Sequence, residues 1–192
     1  MKRIGILSSH NGSGFDTIQK ACLERILDAQ IVLVISNNFD AKVLQKASND
    51  NIPNFVINSK KFPQENLDKK ITKLMLEYKV DYIFLSGFMK KLESNLISTY
   101  KNKIINSHPA LLPKFGGKGM FGDNVHKAVL EAKEKNTGCT IHFVNENYDE
   151  GEYILQKSLE ITDGDDVSSL SNRVKNLEAI TIVEAFKKLL TR

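Results

Sequence analysis

Arginine is scarce in this chain of 192 residues, and its positive charge is not concentrated anywhere. Guanidinium groups are supplied only by Arg3, Arg25, Arg173 and Arg192, and the other basic residues are scattered lysines. The net charge is a modest +4. Because proteins that read nucleic acids usually concentrate arginine forks in a basic stripe, the composition argues against a nucleic-acid partner.

Cysteine and long apolar runs are scarce as well. Cys22 and Cys139 stand far apart, without a CxxC or Cys/His ligand spacing, which is typical of reduced, buried thiols in a cytosolic protein. No stretch approaches the roughly 18 apolar residues of a membrane span, and the apolar run near the N-terminus is too short for a signal peptide. We therefore expect one cytoplasmic domain over residues 1–192, with no membrane partner.

The usual catalytic motifs are missing too. No serine or cysteine stands in a nucleophile elbow, and no HExxH motif or carboxylate cluster suggests a metal. We expect no metal. An enzyme with this sequence would need a substrate that brings its own nucleophile.

Short apolar runs alternate with longer amphipathic ones over the first 110 residues. This alternation predicts βαβ units and a parallel sheet. The predicted strands are 3–8, 30–36, 54–58, 81–86 and 103–108. The predicted helices are 15–27, 41–50, 66–78 and, further on, 124–135, each with apolar residues recurring on one face.

The final third has a different pattern. Residues 139–145 and 153–161 are strand candidates, and the polar connector between them is too short for a crossover helix, so we expect an antiparallel pair. A long helix follows, with a predicted apolar stripe of Leu170, Val174, Leu177, Ile180 and Val183. The predicted fold class is α/β: an open, mostly parallel twisted sheet with helices on both faces and an antiparallel C-terminal strand pair. In such sheets, ligands bind beyond the carboxyl ends of the strands.

Asn106 and His108 stand at one of these strand ends, in the sequence "IINSHPALLP". Side chains two residues apart in a strand point to the same side, and Pro109 ends the strand where they emerge. Asp149 lies in the connector between the last two strands. If that hairpin edges the sheet, Asp149 could reach His108 and stabilise its protonated form. An amide, an imidazole and a carboxylate together would suit acyl-type transfer; the alternative is a structural histidine and a solvated hairpin tip.

Two further clusters follow strand ends. "SSHNGSGFD" (8–16) can be a phosphate cradle, in which glycines permit close approach and a helix offers free N–H groups, or a simple Gly/Ser turn. "LSGFMKKL" (85–92) can be a slot for a flat heterocycle or an ordinary strand-to-helix connection. Composition alone does not separate these interpretations.

The motif "NSHPALLP" (106–113) resembles the signature of the folate-dependent formyltransferases. "NGSG" (11–14), "GFMKKL" (87–92), "HFVNENYDEGEYILQ" (142–156) and "RVKNLE" (173–178) are similar to further motifs of the branch that formylates 5-phosphoribosylglycinamide in purine biosynthesis. The resemblance covers nearly the whole chain. It implies a Rossmann-like formyltransferase fold and transfer of a formyl group from 10-formyltetrahydrofolate, the co-substrate, to the amine of 5-phosphoribosylglycinamide.

The resemblance also implies roles for individual residues. Asn106, His108 and Asp149 would be catalytic. The phosphoribosylglycinamide would be bound by Gly12, Ser13, Gly14, Lys175, Asn176, Leu177 and Glu178. The folate would contact Gln64, Met89, Lys90, Lys91, Leu92, Asn106, Asn145, Glu146, Asn147, Tyr148 and Asp149. Residues 1–100 would form the phosphoribosylglycinamide-binding half, and residues 101–192 the catalytic and folate-binding half, of a monomer or homodimer.

Three positions depart from the family pattern. Gly14 replaces the usual Asn, Gln64 stands where a folate-contacting Arg is common, and the segment 116–124 is longer and richer in glycine. Two sister enzymes share the core, methionyl-tRNA formyltransferase and formyltetrahydrofolate deformylase. They carry a further C-terminal or N-terminal domain for which we expect no room in this chain. A non-catalytic nucleotide- or folate-binding module is the alternative outside the enzymes.

Overall fold

The strands of this computed structural model, which describes residues 1–191, form a seven-stranded sheet in the order β3-β2-β1-β4-β5-β6-β7. The strands are β1 (Lys2–Leu7), β2 (Ala29–Ser36), β3 (Asn54–Val56), β4 (Tyr82–Leu85), β5 (Ile104–His108), β6 (Asn136–Phe143) and β7 (Tyr153–Glu160). The helices are α1 (Ser13–Leu23), α2 (Lys42–Asn49), α3 (Leu67–Glu77), α4 (Ser94–Thr99), α5 (Asp123–Glu131) and α6 (Val167–Leu190).

The first of two compact units covers Met1–Ile105. In it β1 pairs in parallel with β2 and with β4, and β2 pairs in parallel with β3. The strands are continuously apolar because they are covered on both faces: Ile4, Ile6, Leu33, Ile35 and Ile83 are all fully buried. The loops that follow β1, β2 and β4 in this unit are residues 8–12, 37–41 and 86–93.

The second unit starts at Asn106. Its strands β6 and β7 pair antiparallel, from Asn136 opposite Glu160 to His142 opposite Tyr153. Helices α5 and α6 meet in a core cluster of Ala110, Val125, Val129, Leu170 and Val174. The predicted fold class, mostly parallel with an antiparallel C-terminal pair and flanking helices, is confirmed.

One prediction about a helix was wrong, and one helix was not predicted. Ile180, predicted in the apolar stripe of α6, is 54% exposed. The buried face of that helix runs instead through Leu170, Val174, Thr181, Ala185 and Leu189. Helix α4 was missed because its six residues bury only Leu96, which is too short a segment to show a helical period. Within the described residues, no helix is both long and apolar enough to cross a membrane.

Candidate active site

Asn106 and His108, at the end of β5, both reach the hairpin formed by β6 and β7. Asn106 Nδ2 lies 3.2 Å from His142 Nε2, and His108 Nδ1 lies 3.6 Å from Asp149 Oδ2. The other carboxylate oxygen, Asp149 Oδ1, lies 3.5 Å from His142 Nε2. Ser107, between the two, contacts Glu178 and Cys139 instead. The alternation of the strand therefore places the amide and the imidazole in one polar cluster, as predicted.

His108 is 3% exposed, and its environment decides its charge. Burial is the largest influence and lowers its pKa, while the Asp149 carboxylate and the hydrogen bond to Phe115 raise it and His142 lowers it; the net pKa lies below the ordinary 6.5. The contribution of Asp149 has the predicted direction. The prediction that it holds His108 protonated was wrong on the net effect, because the desolvation of a buried imidazolium outweighs one nearby carboxylate.

Asp149 contacts both histidines of the cluster and the backbone of Gly117. Its burial alone would raise the carboxyl pKa, but its contacts with His142 and His108 and the Gly117 N–H together lower the pKa below 3.8. The Gly117 N–H donates to Asp149 Oδ2 over 2.8 Å. Asp149 therefore carries its negative charge while it holds the glycine-rich segment 116–124.

Gly116 explains why that segment needs glycine close to the motif. A Cβ there would lie 2.6 Å from Leu112 Cδ2 and 3.2 Å from Asp149 Cβ. Since real Cβ atoms do not approach so closely, any larger residue would displace Leu112 or Asp149. The segment just before it is fixed too, because Thr140 Oγ1 donates to the Ala110 carbonyl and accepts from the Leu112 N–H.

Helix α6 presents the four residues predicted to bind phosphoribosylglycinamide. Lys175 and Asn176 are exposed, and Leu177 and Glu178 are half-buried. Glu178 Oε1 accepts a hydrogen bond of 2.5 Å from Ser107 Oγ. Burial raises the pKa of Glu178, and the Ser107 hydrogen bond and Lys175 only partly oppose that effect.

The loop of residues 8–16 begins helix α1. Gly12 has a left-handed backbone (φ +68°) and no side chain caps the helix from within the loop. Ser86, just after β4, does so instead: its Oγ accepts hydrogen bonds from the N–H groups of Gly14 and Phe15 over 3.0 and 3.3 Å. The N–H of Gly14 is therefore occupied. No acceptor contacts the N–H groups of Gly12 and Ser13 anywhere in residues 1–191.

Residues 87–92 follow β4, and four of them border a cavity of about 720 Å³ within the first unit: Phe88, Lys90, Lys91 and Leu92. The Met89 N–H donates to Ser9 Oγ over 2.7 Å, which ties this loop to the end of β1. The cavity is lined by side chains that include Lys90, Lys91, Leu92, Asn37, Asn38, Asn58 and Lys60. Gln64 is exposed and lies outside this lining.

The connector 145–149 is a polar turn. The Asn147 N–H donates to Asn145 Oδ1 over 2.9 Å, and Asn147 Nδ2 donates to Glu150 Oε2 over 2.8 Å. Asn145, Glu146, Asn147 and Tyr148 are exposed, with Tyr148 at 49%. Asp149 points into the cluster from a left-handed backbone (φ 58°).

Two site residues were missed by sequence reasoning, His142 and Ser86. His142 is 2% exposed and contacts both Asn106 and Asp149. It is the first residue of the motif "HFVNENYDEGEYILQ", so its type and place were visible although its partners were not. Nothing in the sequence marks Ser86 as the cap of a helix 72 residues away.

Within residues 1–191, no group of three or more His, Cys, Asp or Glu side chains is arranged to hold a metal ion. Independence from metals stays a prediction.

Comparison with known proteins identifies the family. Residues 2–186 match the formyl transferase family. The chain is 35% identical, over 95% of its length, to the chloroplastic phosphoribosylglycinamide formyltransferase of Arabidopsis thaliana, and 37% identical, over 92%, to the trifunctional purine biosynthetic protein adenosine-3 of Homo sapiens. It spans 63% and 17% of those two proteins.

A crystal structure of glycinamide ribonucleotide transformylase 1 from Geobacillus kaustophilus superposes with a TM-score of 0.90 at 31% identity, with 99% of each chain covered. The chain therefore belongs to the formyl transferase family and has the fold of that transformylase. The resemblance found in the sequence motifs is confirmed.

Proposed function

We propose that this protein transfers the formyl group of 10-formyltetrahydrofolate to the amine of 5-phosphoribosylglycinamide, a step of purine biosynthesis. The observation that carries the proposal is the convergence of Asn106, His108 and Asp149 on one buried cluster. The names of the relatives, which include a trifunctional purine biosynthetic protein, support it.

The chemistry follows from this cluster. The substrate amine attacks the formyl carbon and forms a tetrahedral intermediate with a negatively charged oxygen. An N–H of Asn106 and the imidazole of His108 stabilise that oxygen. His108 then moves the proton that the amine loses to N10 of the folate, the bond between the formyl carbon and N10 breaks, and tetrahydrofolate leaves. Asp149, ionised and 3.6 Å from His108 Nδ1, stabilises the imidazolium as it forms.

His108 must exchange a partner when the substrates bind. Its Nε2 lies 2.7 Å from the Phe115 carbonyl oxygen, which can only accept, so Nε2 carries a proton that it donates there. Either this N–H or the Asp149 contact on Nδ1 has to yield to the reacting oxygen.

The acceptor substrate is assigned to two sets of residues. Gly12 and Ser13 offer free N–H groups at the start of α1, where the helix dipole favours an anion, so they would bind the phosphate. Gly14 would shape this turn rather than donate, because its N–H is bound to Ser86. Glu178, with Lys175, Asn176 and Leu177, would bind the remainder of the molecule.

The formyl donor is assigned to the loops at residues 87–92 and 145–149. Lys90, Lys91 and Leu92 border the cavity of the first unit, and Met89 belongs to the same loop. Further folate contacts are proposed for Asn145, Glu146, Asn147, Tyr148, Asp149 and Asn106. Gln64, exposed and outside the cavity lining, would make at most a peripheral contact.

The test is an activity assay in which the purified protein is given 10-formyltetrahydrofolate as formyl donor. The acceptor is glycinamide ribonucleotide, methionyl-tRNA or water. We expect formyl transfer to glycinamide ribonucleotide alone. Transfer only to methionyl-tRNA would indicate the tRNA enzyme, and hydrolysis alone would indicate the deformylase. Binding without turnover in all three reactions would indicate a non-catalytic module and overturn the proposal.

A further inference from the structure

His142 lies against the reacting groups without being one of the three residues assigned to the chemistry. It is 2% exposed, near the end of β6, and contacts Asn106 and Asp149 through the same nitrogen, Nε2. A side chain that only fills space at this position would not need the two ring nitrogens of an imidazole, and both nitrogens of His142 have polar partners.

The backbone fixes the tautomer of His142. Nδ1 lies 2.8 Å from the carbonyl oxygen of Phe143. Because a carbonyl oxygen only accepts, Nδ1 must carry the proton, and in the neutral ring Nε2 is left as an acceptor. The Asn106 side chain then has to present its NH₂ group, not its oxygen, to Nε2.

His108 has the opposite tautomer. Its Nε2–H donates to the Phe115 carbonyl, so Nδ1 faces Asp149 as the unprotonated nitrogen. When both rings are neutral, each directs a lone pair at the Asp149 carboxylate. One added proton relieves this repulsion. Nε2 of His142 is already occupied by the Asn106 N–H, so the open position for that proton is Nδ1 of His108.

From this geometry we propose that His142 is a positioning residue. It binds one N–H of Asn106, which leaves the other N–H for the developing oxyanion. Because its Nε2 is occupied by Asn106, the proton that the cluster takes up binds to Nδ1 of His108 and not to His142. This inference rests on the proposed formyl transfer for its kinetic test, but the tautomers can be observed without any substrate.

A matched pair of variants distinguishes the role of Nε2 of His142 from that of Nδ1. In His142→Gln the amide reaches the position of Nε2 and can accept from Asn106; in His142→Asn the amide reaches only the position of Nδ1. We expect His142→Gln to keep kcat within about threefold and His142→Asn to lose about 10- to 100-fold, the range for a misplaced reacting group. KM should change little in either variant. Equal losses in both variants, or a wild-type rate for His142→Asn, would overturn the proposal.

A double mutant tests whether His142 acts through Asn106. In an Asn106→Ala background, His142→Asn should cost less than about threefold further, because the group it orients is gone. A full, additive loss would show that His142 acts independently and would contradict the proposal.

Nitrogen-15 NMR of the histidine-labelled wild-type protein supplies a readout besides activity. With four histidines in the chain, the ring signals can be assigned from the single variants. We expect the Nδ1–H tautomer for His142 and the Nε2–H tautomer for His108 at a pH where both are neutral. An Nε2–H tautomer at His142 would overturn the inference even if the variants failed to fold. Wild-type protein that transfers no formyl group would instead count against the proposed function.

Discussion

At the scale of single residues, the proposed site depends on a few ionisable groups whose surroundings shift their pKa values. Burial lowers the pKa of His108 and raises that of Glu178, whereas hydrogen bonds keep the pKa of Asp149 low despite its burial. Each group is held by specific polar partners. Substitutions of these residues should therefore change rate or pH dependence more than they change folding.

Asp149→Asn removes the charge that stabilises the imidazolium of His108. The pKa of His108 should fall further, and kcat should drop by about 10² to 10⁴, the range for a disabled general acid–base. Substrate affinity should change much less, because the charge acts mainly in the transition state. Steady-state kinetics with both substrates would measure this split.

Glu150→Gln, on the exposed side of the same turn, is the control for Asp149→Asn and should leave the rate unchanged. A rate of Asp149→Asn within about threefold of wild type, worth about 0.65 kcal/mol of barrier, would favour a solvated hairpin tip.

Glu178→Gln should alter the pH dependence of stability. A carboxyl whose folded pKa lies above its ordinary 4.5 contributes stability that is complete below pH 4.5 and is lost as the pH rises through the folded pKa. The free energy of unfolding of Glu178→Gln relative to wild type should therefore improve as the pH rises from 4.5 to 8. Urea unfolding at several pH values would measure this trend.

The same substitution should raise the KM for glycinamide ribonucleotide about tenfold, since a hydrogen bond to a charged group is lost. Glu131→Gln, an exposed helix residue paired with Lys127, is the control and should show neither effect. A pH-independent stability difference for Glu178→Gln would contradict the assignment.

At the scale of elements, the loops after the strands are held by contacts from distant parts of their own unit. Ser86 of the loop after β4 caps α1, and Ser9 after β1 holds the Met89 N–H. In the second unit, Asp149 of the hairpin holds Gly117. The geometry of each site loop thus depends on its neighbours more than on its own sequence.

Ser86→Ala should destabilise the first unit. It leaves the buried N–H groups of Gly14 and Phe15 without an acceptor, and the loss of a helix cap costs about 1 to 2 kcal/mol. Chemical denaturation would measure the change. Ser98→Ala, which removes an exposed hydroxyl on α4, should cost less than about 0.5 kcal/mol. Equal costs would show that the cap is energetically unimportant.

Gly116→Ala should lower kcat about tenfold with a smaller effect on KM. The added methyl group would lie 3.2 Å from Asp149 Cβ and 2.6 Å from Leu112 Cδ2, so it would move the carboxylate away from His108. Gly119→Ala is the control: it strains a backbone with φ +90° but meets no atom within 4 Å. If both variants lost the same activity, the loop backbone rather than the position of Asp149 would be responsible.

At the scale of the whole molecule, the proposed chemistry uses amide, imidazole and carboxylate groups, and no group of three or more His, Cys, Asp or Glu side chains among residues 1–191 is arranged to hold a metal ion. Dialysis against a chelator should therefore leave formyl transfer unchanged. Activity recovered only after addition of zinc or magnesium would overturn the mechanism derived for this site.

The local pattern of the sequence was enough to predict most elements, the mixed sheet and the family. The spacing of apolar residues along a helix or strand can be read from neighbouring residues in the sequence. For this reason Asn106 and His108 could be assigned to one side of β5. A segment as short as α4 has too few residues to show a period, and one apolar stripe cannot tell which face of a long helix such as α6 is finally buried.

The tertiary structure alone decided which residues the site side chains contact and how their pKa values shift. His142 meets Asn106 across 36 residues of sequence, and Ser86 caps a helix across 72. Burial, not the neighbouring carboxylate, sets the net pKa shift of His108, and only the folded chain brings Gly116 against Asp149. Side-chain periodicity is a property of adjacent residues, whereas desolvation and long-range hydrogen bonds exist only once distant segments pack together.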